Sequence, residues 1–92
     1  MADQKKIAVI VSDRPDEGLR MALGLTIEGD EIHIYNVGAP IERSEANNTN
    51  IDGLDMMDCT LISVNEADEG FTHMQVQEIP GKLLEYDHVV AY

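Results

Sequence analysis

Ninety-two residues suffice for one small domain, residues 1–92, and a formal net charge of −12 argues against phosphate-rich partners such as nucleic acid or anionic membrane surfaces. Only six basic residues are present, and none lies between Arg43 and Lys82, an interval that carries Glu45, Asp52, Asp55, Asp58, Glu66, Asp68, Glu69 and Glu78. No apolar run approaches the roughly 18 residues of a membrane helix, and the lone Cys59 excludes an intrachain disulfide framework and a cysteine-based zinc site within one chain, so a reducing cytoplasm is the expected setting.

The first element is expected at "IAVIVS", Ile7 to Ser12, after Lys5 and Lys6. It is apolar on both faces, as in a parallel sheet covered from two sides. The leading "MADQKKIAVIV" lacks a small-residue cleavage site and reads as this strand, not as a signal peptide. "SDRPDEG" is then a turn into a helix. Pro15 suits the first helical turn, Ser12 or Asp13 is placed to cap it, and Asp16 and Glu17 fall where the dipole favours acids. Leu19, Ala22, Leu23 and Thr26 form the stripe that faces the sheet, and Gly29 is the expected stop.

"EIHIYNVG" alternates and predicts a second strand, which completes a right-handed βαβ unit. "GAPIERSEANNTN" reads as a polar loop. Thr49 and Asp52 fit a capping box for a short helix, "NIDGLDMMD". "CTLISV" predicts a third strand and "NEADEGFTH" a solvated acidic connection. "MQVQEI" predicts a fourth strand, "PGKLLEYD" a short helix and "HVVAY" a fifth strand. The sum is a single α/β domain with a mostly parallel five-stranded sheet and helices on both faces.

In this order, "SDRPDEGLRMALGL", "CTLISVNEADEGF" and the terminal "LLEYDHVVAY" resemble the DsrE/DsrF-like family, which includes sulfur-relay proteins related to the DsrEFH and TusBCD complexes. The resemblance spans nearly the whole chain. It implies a DsrE-like three-layer sandwich and, in active members, a persulfide carried by a cysteine after the third strand. Here that place is held by Val64 or Asn65, so the family's catalytic residue does not carry over.

Cys59 lies at the other end of the third strand, beside Asp58, with Asp55 one helical turn earlier. Negative neighbours and burial both disfavour a thiolate, so Cys59 reads as a small packed apolar group. Ser12, Arg14 and Asn65 fall at the carboxyl tips of strands, where open α/β sheets bind ligands. Arg14 and the free N–H groups of the following helix would suit a small anion. Asp13, Asp16 and Glu17 would repel one, and no glycine-rich phosphate loop is present. His33, His73 and His88 are scattered, and no metal-ligand spacing or cofactor motif stands out. The sequence therefore points first to a non-catalytic subunit of a sulfur-relay type oligomer, either a homo-oligomer or a hetero-oligomer with cysteine-bearing paralogues. The alternatives are a sulfurtransferase using Cys59 and an α/β domain binding a small anion or nucleotide.

Overall fold

A computed structural model describes residues 4–91. Five strands form one sheet: β1 (Lys6–Val11), β2 (Glu31–Asn36), β3 (Thr60–Ser63), β4 (Thr72–His73) and β5 (His88–Ala91). Three helices accompany them: α1 (Pro15–Leu25), α2 (Glu45–Met56) and α3 (Ile79–Leu83). Single 3₁₀ turns, Thr26–Glu28 and Val76–Glu78, precede β2 and α3. The strand order is β4-β3-β2-β1-β5, and every pairing is parallel. Val9 at the centre is opposite Ile34 on one side and Val90 on the other. Tyr92, expected in the last strand, lies outside the described residues.

Side chains that alternate along the strands divide the apolar core in two. On one face Ile7, Val9, Val11, Ile32, Ile34 and Leu61 pack with Leu19 and Ala22 of α1 and with Ile51 and Leu54 of α2. Burying each such aliphatic side chain contributes roughly 1.5–3 kcal/mol. The two helices approach closely where Gly53 faces Leu23; a Cβ there would stand 3.2 Å from Leu23 Cδ1. On the opposite face Ala8, Tyr35 and Ile62 are covered by Ile79, with Met74, Leu83 and Tyr86 at the margin. Helices thus cover both faces, two long ones on the first and the five-residue α3 on the second.

Three local expectations are corrected. The N-cap position of α1 falls on Arg14, not on Ser12 or Asp13, and the Arg14 side chain makes no cap hydrogen bond. Pro15 at the start removes one N–H that would otherwise need a partner, which lessens the need for a cap. The second helix begins at Glu45 and is capped by Ser44, whose Oγ accepts from the Asn47 N–H at 3.2 Å. Thr49, expected as the cap, lies inside it and donates to the Glu45 carbonyl at 2.9 Å. The run of Asn and Thr has poor helix propensity, and tertiary contacts override it: Asn47, Ile51 and Leu54 form its buried stripe.

The third correction is "MQVQEI". The fourth strand is only Thr72–His73, and Val76–Glu78 is a 3₁₀ turn. Gln75 and Glu78 cap each other reciprocally, with the Gln75 N–H donating to Glu78 Oε2 at 3.1 Å. That closure turns the chain into α3, which the alternation of Met74 and Val76 did not foretell. Gly29 does end the first helical segment, in the left-handed region at φ 84°.

Candidate functional site

The sheet is doubly wound about β1. One crossover leads through α1 to β2, and the last strand arrives on the other side of β1 by way of α3. In such sheets the carboxyl tips of the strands are the usual ligand position. Here Ser12 follows β1, Gly38 follows β2, and Val64 and Asn65 follow β3. The backbones of Ser12 and Gly38 are in close contact: a Cβ on residue 38 would lie 2.7 Å from the Ser12 carbonyl oxygen. Asn65 Nδ2 donates to the Gly38 carbonyl at 2.7 Å. Ser12 and Asn65 are thereby brought to either side of one glycine.

Beneath them lies a polar network that sequence reasoning missed. Asp68 is 4 % exposed, although "NEADEGFTH" reads as a solvated acidic loop. Its Oδ1 accepts from the Ile41 N–H at 2.9 Å. Its Oδ2 accepts from Asn36 Nδ2 at 2.7 Å and from the Ser63 hydroxyl at 2.5 Å. Asn36 donates further to the Ala39 carbonyl at 3.0 Å, and its Oδ1 accepts from the Gly38 N–H at 3.2 Å. Ser63 Oγ also accepts from the Asn65 N–H at 3.0 Å. A buried carboxylate with three donors is well compensated, because each lost water contact is replaced by a charge-assisted hydrogen bond. The network clamps the loops after β2 and β3 onto the strand tips. The hydroxyl of Ser63 is thereby held between Asp68 Oδ2 and the Asn65 N–H. The polar alternation at Asn36 and Ser63, the last residues of two apolar strands, was the available signal.

Arg14 stands apart from this row. It is exposed and pairs with Glu17 Oε2 at 3.4 Å. The cleft it borders, about 360 Å³, is lined by Asp13, Arg14, Pro15, Asp16, Glu17 and Glu42. Four carboxylates against one guanidinium make it a poor seat for an anion.

Cys59 lies at the opposite end of the molecule, where β3 begins. It is half-buried and packs against the core beneath α1 and α2. Burial, followed by the charge of Asp58, pushes its thiol above the ordinary value of 9.0. Asp58 itself occupies the left-handed region, φ 59°, where it ends α2. The Cys59 N–H reaches back to the Leu54 carbonyl at 3.0 Å.

A second arrangement missed in the sequence unites two of its scattered residues, His33 and Tyr86. Tyr86 Oη lies 2.6 Å from His33 Nδ1 and 2.6 Å from Tyr35 Oη, and His33 Nε2 lies 2.6 Å from Glu31 Oε2. With Nε2–H donating to Glu31, Nδ1 accepts from the Tyr86 hydroxyl. Lys6 Nζ sits 4.8 Å from the Tyr86 ring centre. Burial above all, with the neighbouring Tyr35 phenol and the charges of Glu85 and Glu31 adding to it, pushes the Tyr86 phenol above its ordinary value of 10.0. This chain of hydrogen bonds fastens the turn before β5 to the sheet. Among the described residues no cluster of three or more His, Cys, Asp or Glu is placed to hold a metal ion, and no helix is long and apolar enough to cross a membrane.

No protein-family model matches the chain, and neither curated proteins nor solved structures give a match.

Proposed function

We propose that this chain is a DsrE/DsrF-like, non-catalytic subunit of a sulfur-relay type oligomer, contributing shape and charge and not covalent chemistry. The observation that carries the reading is the occupancy of the β3 tip. By the resemblance, Val64 or Asn65 would take the place where active members of the family bear a thiol; in the fold Asn65 is bound into the loop by Gly38 and Ser63. The sulfur atom of Cys59 is at the far end of the same strand, with its thiolate disfavoured. Assembly draws support from apolar side chains left open to solvent, among them Val76, Leu84 and Val89. It is supported too by β5, which is the last strand on its side of the sheet and presents an edge for pairing. As a homo-oligomer, or in company with cysteine-bearing paralogues, the chain would bury a further face and offset the modest stability of a small domain.

The test is the rate at which Cys59 takes up sulfur from a polysulfide donor, compared with an unstructured cysteine peptide at neutral pH. The proposal expects uptake slower than the peptide, since the thiolate is the reactive form. Uptake faster than the peptide, abolished in Cys59→Ser, would establish the sulfurtransferase reading in its place.

A further inference from the structure

The two edges of the sheet differ. β4 is two residues long, too short to template another strand. β5 forms the other edge, and its sequence, His88, Val89, Val90, Ala91, contains no Lys, Pro or acid. Its register with β1 runs without a bulge, from Ile7 beside His88 to Ile10 beside Ala91. Charge, proline and bulge, three of the devices that blunt a strand edge, are all missing along it. Val89, beside Ala8 on the α3 face, is 48 % exposed.

The ladder with β1 fixes which backbone groups of β5 are free. The Asp87 N–H donates to the Lys6 carbonyl at 2.8 Å. Backbone groups alternate sides along a strand, so those of Val89 and Ala91 also point to β1, and the N–H and C=O of His88 and Val90 point away from the sheet. No other described segment hydrogen-bonds to them. Although the chain carries a formal −12, the charges flanking this edge cancel. Glu85 stands 4.0 Å from Lys6 Nζ and 3.9 Å from Lys82 Nζ, and the Asp87 carboxylate accepts from the Lys6 N–H at 2.8 Å. Salt screens the more distant acids over roughly 8 Å.

We propose that β5 pairs antiparallel with β5 of a second copy of this chain, about a two-fold axis at Val89. In this register His88 of each copy faces Val90 of the other, and each such pair exchanges two N–H···O bonds. The outward groups of His88 and Val90 are then all matched. Val89 meets the second copy's Val89 on the α3 face, at the closer spacing of a non-hydrogen-bonded pair. Asp87 of each copy faces Ala91 of the other, so no two carboxylates are opposed. The proposal gives the assembly reading above a surface and a partner, and rests on it.

The experiment measures the mass of the intact chain by light scattering, up to about 1 mM. The native chain should reach twice 10.2 kDa. Val89→Glu and Val89→Lys each set like charges across the axis and should weaken the dimer at least about 10-fold, with unchanged circular dichroism. An equimolar mixture of the two should dimerise again. His88→Pro removes one outward N–H without touching the ladder to β1, and should also weaken the dimer. A monomeric native chain would overturn the proposal, as would His88 and Val90 amides protected from exchange only when a different protein is present. Dimers that survive both charged variants would overturn this edge as the contact while leaving assembly through another surface intact. Charged variants that stay monomeric when mixed would overturn the register. Sulfur uptake at Cys59 is measured separately, so failure of the non-catalytic reading is told apart from failure of this contact.

Discussion

Replacing Asp68 by alanine removes the one acceptor shared by three buried donors: the Ile41 N–H, the Asn36 amide and the Ser63 hydroxyl. A buried donor deprived of its acceptor costs roughly 1–3 kcal/mol. The Ser63 hydroxyl can turn, Asn36 keeps its bond to Ala39, and water entering the vacated volume recovers part of the loss. The net cost should be about 3–5 kcal/mol, a large part of the roughly 5–14 kcal/mol available to a domain of this length. Urea unfolding followed by circular dichroism measures it. Glu66→Ala and Glu69→Ala, exposed acids in the same loop, are the controls and should each change stability by less than about 0.5 kcal/mol. If Asp68→Ala costs no more than these two, the clamp at the strand tips does not hold the loops as described.

Gly38→Ala would drive a methyl against the Ser12 carbonyl, 2.7 Å away on rigid backbone; it should cost about 1–3 kcal/mol in the same assay. Asn47 is buried and donates through Nδ2 to Asp16 Oδ1 at 2.8 Å and to the Glu42 carbonyl at 2.9 Å, so Asn47→Asp sets an acceptor against two acceptors and should lower stability by at least about 2 kcal/mol. Asp58→Asn should lower the pH at which Cys59 is half-alkylated, because one of the two causes that raise its thiol is removed; an unchanged or higher midpoint would contradict the electrostatic account. Tyr86 ionises at higher pH in the native protein than in the unfolded chain, so its contribution is complete below about pH 10 and is lost as pH rises through the native value. Tyr86→Phe should flatten that alkaline decline in denaturation midpoints measured across pH 9–12.

The sheet, its short fourth strand apart, was legible because its signal is local. "IAVIVS" and "CTLISV" are apolar on both faces, and Pro15 and Gly29 mark where the first helical segment starts and ends. The α2 boundary was not legible, since Ser44 caps a stretch whose Asn and Thr residues favour loops until Asn47 finds Asp16 from a distant helix. Asp68 was hidden for the same reason: nothing in "NEADEGFTH" distinguishes the one acid that turns inward, because its donors come from three other segments. The two candidate tip residues Ser12 and Asn65 were placed by strand order alone and do converge, at Gly38. Arg14 was placed by the same logic, yet it leans outward to Glu17. His33 and Tyr86 are 53 residues apart, and only the parallel sheet brings them within hydrogen-bond reach.

The most direct test of the claim that this chain acts by assembly is its native mass, from size-exclusion chromatography with light scattering, alone and after co-expression with a cysteine-bearing homologue. The account predicts a complex well above the 10.2 kDa of one chain in at least one of these samples. A 10.2 kDa species in both, at the highest concentration reached, would contradict it.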